Sequence, residues 1–265
     1  MMNPRSWFRL FFLGGLLSYR AFFGVATPWL YLPTLMAVPL VQVLFFAYLG
    51  RHSGVADDAF FVVGSALQSC SVSSLVGMTA AVAGERHLRT LPLLLISPAP
   101  RLPMFLGRAL PVTLDGCFVA LFGLLAGTVL LDFSPPWGSL PLLALTVLVA
   151  VASCTGLGLV LGALGLWVRD MYLFTNLAGP VLLLLCGAVV PVELLPEGLG
   201  HLSRLLPLTN GIAAARAVVA GADLSQVSGA LLREAGLAAA FSGLGYLLFR
   251  TFELRARRDA TLEEV

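Results

Sequence analysis

Lysine is absent, so all 16 basic residues of this 265-residue chain are arginine. Without lysine there is no Gly-x-x-x-x-Gly-Lys-Ser/Thr phosphate loop, which excludes nucleotide hydrolysis of that kind by this chain. Charge is scarce at 11% of residues, and a net charge of +2 offers nothing to nucleic acid. Cys70, Cys117, Cys154 and Cys186 lack the Cys-x-x-Cys or His/Cys spacing of a metal site. Each falls in an apolar run and reads as a buried free thiol. His52, His87 and His201 lie in separate loops and no Gly-x-Ser-x-Gly occurs, which argues against a membrane-embedded enzyme.

Apolar residues are what the chain has in abundance, at 58% with a mean hydropathy of +0.93. A membrane span needs roughly 20 mostly apolar residues. Six runs qualify, at about 27–49, 59–83, 110–131, 139–168, 171–191 and 229–249. The prediction is an all-α polytopic membrane protein: one domain over 1–265 with six transmembrane helices. The fourth run is long enough to need tilt or a break. Arginine is retained on the cytoplasmic side. With both termini inside, only Arg51, Arg204, Arg216 and Arg233 fall outside, leaving the other twelve of 16 inside. Arg5 and Arg9 ahead of Leu10–Leu17 superficially suggest a signal peptide. Arg20 interrupts that apolar stretch and a full span follows at once, so cleavage is not expected. The spacing of Trp7, Leu10, Phe11, Gly14 and Leu17 predicts a helix over about 5–24 lying in the inner interface.

Polar residues inside the runs narrow the reading. Pro28, Pro33 and Pro39 predict a kinked first span. Ser65, Ser69 and Ser73 form one stripe on the second, with Gln68 its most polar point. Such a stripe either lets helices pack closely or walls a substrate path, and both readings stand. Asp115 lies about one turn inside the third span and predicts pairing with an arginine such as Arg108. Gly123/Gly127 and Gly158/Gly162 predict close helix contacts. Asp57-Asp58 reads as a solvated outer edge.

Two segments carry the strongest signal. From 85 to 108 the chain reads Glu85-Arg86-His87-Leu88-Arg89-Thr90-Leu91-Pro92, a short apolar run, Ser97-Pro98-Ala99-Pro100-Arg101, then Gly107-Arg108. An amphipathic stretch between charged ends, closed by prolines, is laid out as a docking element on the inner face. Later, Trp167-Val168-Arg169-Asp170 makes a tight turn, followed by Asn176, Gly179-Pro180, Gly187 and Pro191. Pro191-Val192-Glu193-Leu194-Leu195-Pro196, Pro207-Leu208-Thr209 and Arg216 come next. Prolines and acids of this kind cannot sit in lipid as a regular span, and broken backbone at membrane depth needs protein or a water-filled cavity around it. A re-entrant helix pair over about 191–208 is expected, with Val192, Leu194 and Leu195 as an apolar plug between Pro191 and Pro196.

In this order, over roughly 80–250 and most densely over 167–221, these features resemble the membrane subunit of type-two ABC exporters. The resemblance implies that 85–108 is a coupling segment resting on an ATPase subunit. It assigns that role to Glu85, Arg86, Arg89, Thr90, Leu91, Ser97, Pro98 and Arg101, with Gly107-Arg108 also matching. Pro92 departs from the family, where an acid commonly stands. It further implies a homodimer of this chain in a bacterial inner membrane, joined to two copies of an ABC ATPase subunit that use ATP and Mg. No cofactor is expected in this chain. Ser65, Gln68, Ser69, Ser73 and Asn176 would line the path, with the 191–208 element as its outer gate. The expected cargo is an amphipathic drug, natural product, lipid or glycan, and many Phe but few Trp and Tyr (17 against 4 and 5) favour the first three over a long polysaccharide. The alternative is an ion- or proton-coupled carrier working without an ATPase. That class wants ionisable groups near mid-membrane, whereas Asp115 and Arg233-Glu234 read as edge charges.

Overall fold

The computed structural model describes residues 14–15, 28–53, 57–87, 101–131, 133–168 and 170–258, and among them no strand occurs. Among the described residues the main helices follow in order: α1 Pro28–Ser53, α2 Asp58–His87, α3 Arg101–Leu130, α4 Leu140–Gly165, α5 Leu173–Leu185, α6 Glu197–Leu205, α7 Thr209–Val219 and α8 Leu224–Arg258. Short 3₁₀ turns precede α4 at Trp137–Ser139 and α6 at Val192–Leu194. The interfacial helix expected over about 5–24 lies outside the described residues except for Gly14 and Gly15.

Among the described residues, four helical stretches are long and apolar enough to cross a membrane: Asp58–Arg86, Pro103–Leu130, Trp137–Gly165 and Leu224–Ala256. Met36–His52 and Leu173–Leu185 are apolar but shorter. α1 runs unbroken through Pro33 and Pro39. α2 and α4 form the centre, with 72% of their most apolar windows buried, against 50% for α3 and 11% for α8. A helix apolar on all sides has nothing to choose between protein and lipid, so size decides the contacts. A Cβ on Gly158 would stand 2.8 Å from the Met78 Cβ, and one on Gly162 3.0 Å from the Val82 Cβ. Gly123 and Gly127 approach Ala66 and Val62 in the same way. The glycine pairs therefore seat both α4 and α3 closely against α2, and α3 and α4 also meet one another where Gly116 faces Val151.

Several bounds differ from expectation, the start of α3 at Arg101 rather than about 110 among them. The fifth apolar run was expected to span about 171–191, but α5 stops at Leu185 after 13 residues. That length reaches ~20 Å, short of the ~30 Å hydrocarbon layer. Gly187 turns the chain with φ +80, a conformation open to glycine and costly for other residues. Pro191, lacking an N–H, keeps the helix from resuming. The short helix pair occupies 197–205 and 209–219 rather than 191–208. α8, in turn, outruns its expected 229–249. Its 35 residues reach ~52 Å, and its final turns stay packed on the bundle through Phe252 and Ala256.

Candidate functional site

The break after α5 frees carbonyl groups, and those of Leu185, Gly187 and Ala188 have identifiable donors. The Ser203 hydroxyl of α6 donates to the Leu185 carbonyl at 2.6 Å. Arg216 of α7 donates to the carbonyls of Gly187 at 2.8 Å and Ala188 at 3.1 Å. The same guanidinium donates to the Phe60 carbonyl at 3.0 Å and lies 3.3 Å from the Phe60 ring centroid. α2 admits this junction because Gly64 has no side chain: a Cβ there would stand 2.2 Å from the Ala188 oxygen. Broken backbone buried away from water is thus made tolerable by one arginine. Val192, Leu194 and Leu195 form the 3₁₀ turn and its exit, between Pro191 and Pro196. None of the three is buried within one chain, and Leu194 is 68% exposed.

Between α1, α2 and α5 lies a cleft of about 330 Å³. Gln42, Gln68, Thr175 and Asn176 face it together with Phe46, Val72 and Leu183. Gln68 is held by the Gly179 carbonyl at 3.5 Å and by the Cys186 thiol at 3.3 Å. The Thr79 and Thr175 hydroxyls meet at 2.9 Å across the α2–α5 seam. Of the five residues expected on the path, Gln68 and Asn176 line this cleft. Ser65, Ser69 and Ser73 do not: Ser65 donates to the Phe61 carbonyl, Ser69 to Gln42 at 3.0 Å, and Ser73 to Asp115. Gln42 and Thr175 were missed. Short polar side chains in apolar runs, the signal that singled out Gln68, would have found both.

At the opposite end, Glu85 pairs with Arg108, joining the base of α2 to α3. Arg108 also donates to the Ala81 carbonyl. It therefore engages Glu85 rather than Asp115, which is a carboxylate receiving the Ser73 hydroxyl. Arg86 donates to the carbonyls of Leu166 at 3.2 Å and Val168 at 3.0 Å, in the turn ahead of α5. The Trp167 ring packs on Phe252, and Arg255 stands 4.9 Å over it, so α8 meets the same turn. Arg89, Thr90, Leu91, Ser97 and Pro98 lie outside the described residues, and so does the Arg101 side chain at the start of α3. On the far side of the bundle Asp58 is ion-paired with Arg51 rather than simply solvated.

Among the described residues, long apolar helices packed around a shorter, broken one, beside a cleft lined by amides, hydroxyls and apolar side chains, mark a multi-pass membrane protein. The profile of the ABC-2 type transporter family matches residues 15–219, most of the chain. The chain belongs to that family and is a permease-type transport component. Over 156 residues it is 30% identical to the probable multidrug ABC transporter permease YbhR of Escherichia coli (strain K12), and equally to the protein of that name from Escherichia coli O157:H7. The aligned stretch is 58% of this chain and 42% of each relative, so the chain spans less than half the length of these relatives.

Proposed function

We propose that this chain is the permease half of an ATP-driven exporter, working as a homodimer with two copies of a separate ABC ATPase subunit. In this reading α1 to α5 and α8 are six spans of a bacterial inner membrane, with both termini cytoplasmic. The 85–108 segment receives the ATPase stroke. Glu85 and Arg86 pass it on through their ties to α3 and to the α4–α5 turn. α6 and α7 are the re-entrant pair, with Val192, Leu194 and Leu195 plugging the outer mouth by excluding water. The cargo is an amphipathic drug, natural product or lipid without strong charge.

The observation that carries this reading is the cleft. Among the described residues its lining includes amide and hydroxyl groups among apolar side chains and no ionisable residue. Such a surface suits a largely apolar molecule with a few hydrogen-bonding groups, and it supplies no carboxylate for an ion-driven carrier. The test is transport by inside-out vesicles holding this chain with its ATPase subunit and a neutral amphipathic dye. ATP-dependent dye accumulation is expected. Gln68→Leu and Asn176→Leu should raise the half-saturating dye concentration several-fold while ATP hydrolysis continues. Dye uptake that follows an ion gradient and ignores ATP would overturn the reading. Single-cysteine labelling on a background without the four native cysteines checks the topology: position 257 should react only after the membrane is opened.

A further inference from the structure

The family match ends at Val219, yet the N-terminus of α7 is completed by a side chain from beyond it. Glu234 of α8 is fully buried. Its carboxylate accepts the Leu208 amide at 2.6 Å, the Gly211 amide at 3.2 Å and the Ser153 hydroxyl of α4. α7 has no capping side chain of its own, because Leu208 occupies its N-cap with φ +79. Left-handed backbone is unfavourable for a side chain of this kind and persists only where its surroundings hold it. The carboxylate supplies that hold. It satisfies amides that a helix start leaves without partners, and it places negative charge at the positive end of the helix dipole.

The two ends of α7 are therefore anchored differently. Arg216 ties its later turns to α2 and to the α5 break, through a part-buried guanidinium that donates to three carbonyls. Glu234 ties its start to α4 and α8 where no water reaches. Removing that tie strands buried amides in a low-dielectric setting, the costliest way to lose a hydrogen bond.

We propose that Glu234 is the positioning residue that sets the closed seat of the outer helix pair α6–α7, and with it the tightness of the resting permease. This rests on the reading of that pair as the outer gate. Without the carboxylate the start of α7 lifts from α4 and α8, and the mouth leaks while the ATPases are idle.

The test uses the full chain with its ATPase subunit in proteoliposomes preloaded with the neutral dye. Folded Glu234→Ala should raise ATP-independent dye escape at least tenfold. Glu234→Gln, which keeps one acceptor oxygen, should raise it less. Where the alanine variant does not fold, the glutamine variant carries the measurement. A residue that merely stabilises the fold lowers the yield of complex and leaves escape per folded complex at the parent value, and that result overturns the proposal. Amide hydrogen exchange gives a reading independent of cargo. Leu208 and Gly211 should exchange at least tenfold faster in Glu234→Ala, with the core of α2 unchanged; equal rates overturn the proposal. A parent complex that fails to export sinks the exporter reading alone, because exchange still decides what Glu234 holds.

Discussion

The two ends of the bundle handle charge in opposite ways. At the end that the proposed topology puts inside, Glu85 and Arg108 satisfy one another, and Arg86 adds two carbonyls of a short turn. At the end it puts outside, apart from the exposed Arg51–Asp58 pair, the charges answer to backbone. Arg216 takes three carbonyls and Glu234 takes two amides, with no ion pair between them. The difference follows from where helices break. α5 ends early, in surroundings where Cys186 and Ala188 are fully buried, and only protein donors can serve what it leaves exposed.

The sharpest way to break this contrast is to remove Arg216. Arg216→Ala leaves the Gly187 and Ala188 carbonyls without a donor, and hydrogen bonds to a charged group are worth about 1.5–3 kcal/mol each. A stability loss of about 3–5 kcal/mol is expected from reversible unfolding in mixed micelles. Arg216→Lys should recover less than half of it, because an ammonium cannot fork between several oxygens. Unchanged stability would mean that the outer break is satisfied in some other way. Gly64→Ala attacks the same junction sterically, pressing the α2 surface into the Ala188 oxygen. Overpacking of this kind costs about 1–3 kcal/mol, so its unfolding midpoint should fall between those of Arg216→Ala and the parent.

The inner end should be far more forgiving. A double-mutant cycle on Glu85 and Arg108 is expected to give a coupling of about 1 kcal/mol or less, shrinking further in high salt. A coupling as large as the Arg216 effect would erase the distinction between the ends. Leu194→Ser is the mildest change. The side chain is 68% exposed in one chain, and stability should shift by no more than about 0.5 kcal/mol. If Leu194 belongs to an apolar plug, idle dye escape should nevertheless rise, separating gating from folding in one variant.

Much of the architecture was legible in apolar run lengths, and the glycine pairs located close contacts, since both signals are local. The length of α5 was not. Ala188, Val189 and Val190 are apolar and extend the run, while the left-handed turn at Gly187 leaves no trace in hydropathy. Gln68 and Asn176 were legible as polar points on apolar helices. The serine stripe belongs to helix contacts because α1 and α3, not the cleft, lie over it. Glu234 read as an edge charge beside Arg233. Nothing near it in sequence signals that the start of α7 comes to rest against it.

Composition and arginine placement by themselves determined that this is an apolar helical protein with charge segregated to its ends. Those properties depend on transfer of side chains from water, which each residue settles largely alone. Which charge serves which broken backbone was decided only by tertiary structure. A hydrogen bond requires partners within about 3 Å, and Arg216 finds the Phe60 carbonyl 156 positions away along the chain. No local pattern encodes that meeting; it exists because α2, α5 and α7 end at the same point in space.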